Sequence, residues 1–487
     1  MNYKNTIIGK INMLKSKYLK TSLLIFGIYY VAISAIIRSD FKYIDDLGRV
    51  AKGYRGWENF SRYTSNILAT LIHGDLYLTD ISPLPQILAI LLLAVAGTII
   101  LYMWEMPQKF SWGILAILPL GLSPYFLECL SYKFDAPYMA ISVFASILPF
   151  AFIKIGQIEY VVASFVGILL MCTTYQASSG IYPMIVVLLC FDFWNKGKSI
   201  NKIFRFLIIS ILCYIVGMLF FRIFLMKPVE DYVSNEMVTL KQVLPNYMKH
   251  LIQYFQLVIQ DFKDIWLILI SLMGGLFIYV SVQETSRKSY ASFLLSLITL
   301  GIMVVLSFGM YPILETPLYE PRAMYGVGVC IALIGVYIAR GDKRYFCKLI
   351  CTLLSWLFFV FAFTYGNALE EQKRYIDFRV ENVIEGMNDL DIFSDDKKTI
   401  VQLKGNVGKS PIINNMPQDY QMLNRLVPTM FGDGWIWNEC YFFNYFDLKN
   451  IVEDNSINLQ ALDLPVLKNT MYYTIKGDED YALIELK

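Results

Sequence analysis

The sequence predicts a polytopic α-helical membrane protein of about eleven transmembrane helices, followed by an external α/β domain at its C-terminal end. Three observations predict it. Hydrophobic residues make up 56% of the 487 and charged residues only 17%, against about 25% charge in an ordinary soluble domain. Apolar runs of roughly the 20 residues a bilayer crossing needs recur from the N-terminal region to residue 366. Residues 367–487 then abandon that pattern.

The runs lie near 21–37, 84–104, 112–130, 137–153, 159–175, 179–194, 204–226, 264–282, 290–310, 323–339 and 347–366. Those at 159–175 and 179–194 are short and meet at Tyr175-Gln176-Ala177-Ser178-Ser179-Gly180. Positive charge sets the orientation. The N-terminal tail carries Lys4, Lys10, Lys15, Lys17 and Lys20. Every second connection then holds Lys109; Lys154; Lys196, Lys198, Lys202 and Arg205; Arg287 and Lys288; and Arg340, Lys343, Arg344 and Lys348. Cytoplasmic loops collect Lys and Arg in this way, so the N-terminus is expected in the cytoplasm and the C-terminus outside. A cleaved signal over residues 1–37 is the rival, because a basic stretch precedes an apolar one ending in Ala32-Ile33-Ser34-Ala35. Removing that span leaves the external loops unchanged.

Four external polar blocks result: 38–83, Ser131–Pro137, 227–263 and 311–322. In the tail, Gln372–Asp389 reads as an amphipathic helix with Ile376, Val380, Val383, Ile384 and Met387 on one stripe. Thr399–Leu403, Tyr472–Lys476 and Tyr481–Leu486 read as strands, the last two joined through Gly477-Asp478-Glu479-Asp480 as a hairpin. The domain division expected is 1–366 for the membrane part and 367–487 for the external α/β part.

Eight Cys and two His, with no CxxC, support neither a disulfide framework nor a zinc site. Seven of the thiols lie in or beside apolar runs, and only Cys440 falls in a polar stretch. The 34 Tyr and 33 Phe suit membrane interfaces and sugar-stacking faces alike.

Carboxylates at the edge of a bilayer are costly and usually have a task or a partner. The first external block concentrates them: Asp40, Asp45, Asp46, Glu58, Asp75 and Asp80. The adjacent pair Asp45-Asp46 follows the first span by a few residues and leads into Val50–Tyr63, which with Tyr54, Trp57, Phe60 and Tyr63 fits an interfacial helix. The plain alternative is that Asp45 or Asp46 caps a helix. Three more polar groups sit at the same side of the membrane: Glu128 with Lys133 and Asp135, Tyr175-Gln176, and Glu320-Pro321-Arg322. An Arg fork matches a phosphate, although Arg322 and Lys133 can also snorkel to lipid headgroups. Together these residues fit one interfacial cavity.

At these residues the chain resembles the type II Gtr glucosyltransferases, serotype-converting and often phage-encoded enzymes that decorate bacterial O-antigen. The resemblance rests on Tyr43-Ile44-Asp45-Asp46-Leu47-Gly48-Arg49 with Gly53-Tyr54 and Gly56-Trp57, then Ile81-Ser82-Pro83-Leu84-Pro85-Gln86. It continues in Ser123-Pro124-Tyr125-Phe126-Leu127-Glu128, Ser131-Tyr132-Lys133-Phe134-Asp135, Tyr175-Gln176-Ala177-Ser178 and Glu320-Pro321-Arg322. The first-loop and Ser131–Asp135 motifs are its most specific parts. It implies a GT-C-like glycosyltransferase of the bacterial inner membrane that takes glucose from undecaprenyl phosphate-glucose to an O-antigen sugar on the periplasmic face, with membrane lipids around it and no nucleic acid as partner.

Such a reaction needs a base for the acceptor hydroxyl and cations for the departing phosphate. Asp45 is the expected base, with Asp46 an orienting group, a metal ligand or a cap. Arg322, Lys133 and, less directly, Arg49 are candidates for the donor phosphate. Asp135, Gln176, Tyr175, Glu128, Glu320 and Trp57 are candidates for substrate binding. A single displacement inverts the anomeric centre. No cofactor is expected and no metal is required, because Arg and Lys suffice for the leaving phosphate, while two adjacent Asp leave a divalent ion open. A lipid-linked sugar flippase is a rival, but it calls for charge along the bundle interior. A polysaccharide O-acyltransferase is another, but it calls for a working His, and His73 and His250 stand apart in the sequence.

Overall fold

The computed structural model describes residues 2–104, 112–227, 243–341, 344–392, 398–415, 420–454 and 456–487. Among the described residues nine helices are long and apolar enough to cross a membrane: Leu19–Ser39, Leu84–Met103, Gln157–Thr174, Gln176–Asn195, Ile200–Leu225, Asp264–Gln283, Ser289–Leu306, Pro321–Ala339 and the apolar part of Tyr345–Asn388. The chain is thus a mostly helical, polytopic membrane protein with a small C-terminal sheet.

Two of the eleven expected runs take a different form. The run 112–130 forms a pair, Trp112–Leu122 and Pro124–Ser131, bent by 57°. Its hinge residue Ser123 is non-helical (φ −54°, ψ 133°), as the residue before a proline tends to be. The run 137–153 forms a shorter apolar helix, Ala136–Phe152, about 25 Å long at 1.5 Å per residue. Counting the bent pair as one span gives ten. Both pieces are almost wholly buried among the other helices.

Lys109, Lys343 and residues 228–242 of the third external block lie outside the described residues. The other basic connections gather at one end of the bundle. Arg340 pairs with Asp192 at 2.6 Å and with Glu284 at 2.8 Å, Arg344 also pairs with Glu284, and Arg287 donates to the Lys198 carbonyl at 2.9 Å.

The first external block does not hold the single interfacial helix expected over Val50–Tyr63. A helix Asp45–Lys52 stops at Gly53, whose φ of 60° suits the left-handed C-cap and whose N–H reaches the Arg49 carbonyl. Gly56, at φ 70°, then leads into a 3₁₀ turn Trp57–Phe60 and a second helix Tyr63–His73.

The last of the long helices, Tyr345–Asn388, has 44 residues, or about 66 Å of length, roughly twice the hydrocarbon thickness. The amphipathic segment Gln372–Asp389 is its continuation rather than a separate helix. Ile376, Val380, Val383 and Met387 are buried beneath a five-stranded sheet. The strands are β1 (Thr399–Lys404), β2 (Ile451–Glu453), β3 (Val466–Asn469), β4 (Tyr473–Gly477) and β5 (Tyr481–Leu486), in the order β2-β1-β5-β4-β3. β1 runs parallel to β2 and β5, and the β4–β5 hairpin is antiparallel from Tyr473↔Leu486 to Gly477↔Ala482. The buried Arg379 fastens sheet to helix by donating to the carbonyls of Val407, Tyr472 and Lys487 at 3.1, 2.9 and 2.7 Å.

Candidate active site

Asp45 and Asp46 open the helix Asp45–Lys52, but neither caps it. The N-cap position belongs to Ile44, at φ 44° and without a side-chain capping bond. A β-branched residue at positive φ is strained, and here the strain sits immediately before the acidic pair, held by its neighbours. The fully buried Asp46 accepts the Tyr43 and Lys133 N–H groups on Oδ2, both at 3.0 Å, and the Phe134 N–H on Oδ1 at 3.4 Å. Asp46 therefore clasps the first external block to the Ser131–Asp135 turn. Burial pushes its carboxyl up to about 8, with the charge of Asp135 adding to the rise and the Lys133 and Tyr43 amides opposing it.

Asp45 is half-buried. Burial, and next the neighbouring Asp135, raise its carboxyl above the ordinary range, while Arg49 and Arg322 pull it down. The Trp437 indole N–H pulls in the same direction without making a hydrogen bond. The charges of two guanidinium groups thus act on Asp45.

Each guanidinium has its own carboxylate. Arg49, buried, meets Asp135 at 3.3 Å, sits over the Trp57 ring at 4.1 Å and the Tyr54 ring at 5.1 Å, and donates to the Arg55 carbonyl. Trp57 in turn donates its indole N–H to Asp135 at 2.5 Å. Arg322 pairs with the buried Glu128 at 3.0 Å, and its backbone N–H bonds the other oxygen of that carboxylate. The Arg322 guanidinium lies 5.6 Å from the centre of the Tyr132 ring, which packs edge-on against Tyr43 at 4.7 Å.

The remaining expected residues fall around this centre. Lys133 contributes its backbone N–H to Asp46, but its ammonium turns away to Asp40 and, at 3.1 Å, to Asp80. Asp40 is shared with Lys373 of the last helix. Tyr175 is buried, extended between two spans, and its hydroxyl has no hydrogen-bond partner. Gln176 donates to the Phe60 carbonyl at 3.3 Å and accepts from Arg62 at 3.4 Å. Glu320 is exposed beside Glu128, whose charge it opposes. Of the histidines, His73 stacks on Phe134 at 5.6 Å and His250 reaches the Pro312 carbonyl at 3.2 Å. Among the described residues no group of three or more His, Cys, Asp or Glu is placed to hold a metal ion.

The C-terminal region reaches into the same cluster, which reading of the sequence did not foresee. The Leu426 carbonyl accepts from Tyr43 at 2.8 Å and from Tyr365 at 3.3 Å. Arg425 pairs with Asp261, which also accepts from Tyr125 at 2.8 Å. Trp437 stacks on Tyr54 with ring centres 5.6 Å apart, and Lys52 pairs with Glu439. Tyr132, Arg62, Asp261, Arg425 and Trp437 are the members missed. The one available signal was a Trp-rich, Gly-rich stretch, Gly432–Trp437, in an otherwise unremarked tail.

A family model described as Glucosyl transferase GtrII matches residues 34–334, more than half of the chain and a span that contains every residue of the cluster except those of the last helix and the tail. The chain is also similar to a Salmonella phage P22 protein described as "Uncharacterized 55.3 kDa protein in gtrB 5'region", at 23% identity over 433 residues, which cover 86% of this chain and 88% of that protein. No solved structure matches.

Proposed function

This chain belongs to the glucosyl transferase GtrII family, and on that premise we propose that it moves glucose from undecaprenyl phosphate-glucose to a sugar of the O-antigen repeat. The reaction would take place on the periplasmic face of the bacterial inner membrane, with the N-terminus cytoplasmic and residues 367–487 periplasmic, the side that the positive-inside distribution assigns to the acidic cluster.

The observation that carries this reading is Asp45, a carboxylate at the head of the helix Asp45–Lys52 that feels the charges of Arg49 and Arg322, with its proton affinity raised by burial and by Asp135. A base works best when its pKa approaches the working pH. In the proposed step the acceptor hydroxyl gives its proton to Asp45 as its oxygen bonds the anomeric carbon. The bond from that carbon to the phosphate oxygen breaks, and its electron pair leaves with undecaprenyl phosphate. One displacement inverts the centre, so a β-linked donor yields an α-glucoside. Arg322 supplies positive charge on the leaving side, and Asp135 fixes Arg49 and Trp57 around the base.

Asp46 has no part in binding a metal on this reading. Its Oδ2 accepts two backbone amides at 3.0 Å and its buried Oδ1 faces the Phe134 amide, so the adjacent pair does not offer two open carboxylates to one ion. The Trp437–Tyr54 stack gives the C-terminal region an aromatic surface beside the base, suited to an acceptor sugar ring, and on this reading the fold is GT-C-like, as the family resemblance implies.

The test is transfer by the purified full-length protein in detergent, with radiolabelled undecaprenyl phosphate-glucose and O-antigen. Label entering polysaccharide, and lost in Asp45→Asn, supports the reading. A flippase moves no label without a membrane barrier, and an acyltransferase moves none from this donor; either result overturns it.

A further inference from the structure

Five cations approach the cluster, and four of them are already matched by carboxylates. Arg49 meets Asp135, Lys133 meets Asp40 and Asp80, and Arg425 meets Asp261. Arg322, on the leaving side, is itself paired with Glu128. A leaving phosphate gains a negative charge, and a cation already matched by a buried carboxylate has less to offer it than an unmatched one.

Arg62 is the exception. It is half-buried, and among the described residues no carboxylate lies within ion-pair reach of it. Instead its guanidinium is spread over the Tyr175 ring at 4.5 Å and the Phe60 ring at 5.1 Å, with Nε donating to Gln176 at 3.4 Å. Tyr175 supplies an independent sign of a missing ligand. The residue is 2% exposed, and its hydroxyl has no partner, although buried hydroxyls nearly always find one. The charges of Arg62 and Arg322 both act on that hydroxyl, as do its neighbours Tyr311 and Cys129.

We infer that Arg62 and the Tyr175 hydroxyl hold the phosphate of the lipid-linked sugar donor, Arg62 as a counter-charge that no carboxylate matches among the described residues and Tyr175 as a neutral hydrogen-bond donor. The inference deepens the proposed glucosyl transfer and rests on it for the identity of the donor. Arg62 is fixed for this role by aromatic faces and an amide rather than by a carboxylate, so its charge stays available. The electron pair released with the lipid phosphate then lands where the charge is.

The experiment titrates full-length wild type, Arg62→Gln, Arg62→Lys and Tyr175→Phe in neutral-detergent micelles with undecaprenyl phosphate, read by tryptophan fluorescence, beside a donor and acceptor kinetic series. Arg62→Gln is expected to weaken undecaprenyl phosphate binding and raise the donor KM about ten- to a hundredfold, with the acceptor KM unchanged. Arg62→Lys should recover part of the loss. Tyr175→Phe, which keeps the ring under Arg62, should lose severalfold and guards against a folding defect in the Arg62 variants. Unchanged binding in both Arg62→Gln and Tyr175→Phe overturns the inference even if wild type transfers glucose. So does phosphatidylglycerol competing as well as undecaprenyl phosphate at equal mole fraction, which would make Arg62 a headgroup anchor. Arg62-dependent binding of undecaprenyl phosphate without any transfer would sustain this site and overturn the proposed reaction instead.

Discussion

Arg49 and Asp135 form a buried ion pair at 3.3 Å, closed on the far side by the Trp57 indole N–H on the same carboxylate. Removing one member of such a pair leaves a charge with neither water nor partner. Asp135→Ala is therefore expected to destabilise the protein by about 3–5 kcal/mol, seen as a lower thermal midpoint in detergent. Asp135→Asn, which keeps an acceptor for Trp57, should cost less. Equal midpoints for wild type and Asp135→Ala would refute the structural role.

The same pair sets the pH response of the proposed base. Burial and Asp135 raise Asp45, and Arg49 lowers it. Activity should rise as Asp45 loses its proton, with the ascending limb displaced above the ordinary carboxylate range. Asp135→Asn removes a raising charge and frees Arg49 to lower Asp45 further, so the limb in kcat/KM should move to lower pH. Movement the other way, or none, counts against Asp45 as the base. Asp45→Asn itself should reduce transfer about 10²–10⁴-fold with donor binding retained.

Much of this arrangement was legible in the sequence, and the parts that were not have physical reasons. The spans and the basic connections could be read because hydrocarbon and membrane potential act on composition, one segment at a time. The convergence of Asp45, Glu128, Asp135, Tyr175 and Arg322 followed, since alternate loops share one end of the bundle. What each side chain does there was not legible, because pairing depends on contacts between distant segments. The ammonium of Lys133 turns to Asp40 and Asp80, and Asp46 serves backbone amides rather than substrate. Trp437 and Leu426 lie more than 370 residues from Tyr43 and Tyr54, which they touch. Pattern rules that work within a window could not join them. The bend within 112–130 traces to Pro124 and the tightening of 137–153 into a 3₁₀ turn to Pro149, changes that hydropathy alone does not register.

Asp46 gives a stability prediction with a definite sign. Its folded carboxyl is pushed up to about 8, against about 4 in the unfolded chain. Oδ2 accepts two amides while Oδ1 has only the long contact to Phe134, so the proton has a place on Oδ1. The folded state then holds a proton that the unfolded state has released, and the stabilisation from this group, full below about pH 4, is lost as pH rises to about 8. Thermal midpoints of wild type should fall relative to Asp46→Asn between about pH 5 and 8. Parallel curves would show that Asp46 is ionised throughout.

Chelation tests the proposal that the transfer needs no metal. Because Asp46 is occupied by amides, charge on the leaving phosphate must be met by guanidinium groups, and EDTA-treated membranes should keep their activity. Loss on EDTA treatment with recovery on adding Mg²⁺ or Mn²⁺ would require another ligand set.

Gly48 offers a way to test whether the C-terminal region works at the site or merely covers it. A Cβ at Gly48 would come within 2.4 Å of the Trp437 ring, closer than any real contact, so Gly48→Ala must push Trp437 off Tyr54 and away from Asp45. Overpacking of this kind costs about 1–3 kcal/mol, and misplacing a group beside the reacting atoms costs up to about a hundredfold in rate. Gly48→Ala is therefore expected to lose activity with the fold retained. Trp437→Ala removes the ring and the aromatic surface together, and should raise the acceptor KM without changing donor binding. The double variant separates the two effects. With no indole to displace, Gly48→Ala should add nothing to Trp437→Ala in stability, and the coupling between the two changes should account for the whole destabilisation of the single Gly48 variant. Additive losses would place the effect of Gly48 in its own helix, and the tail would then have no demonstrated hold on the base.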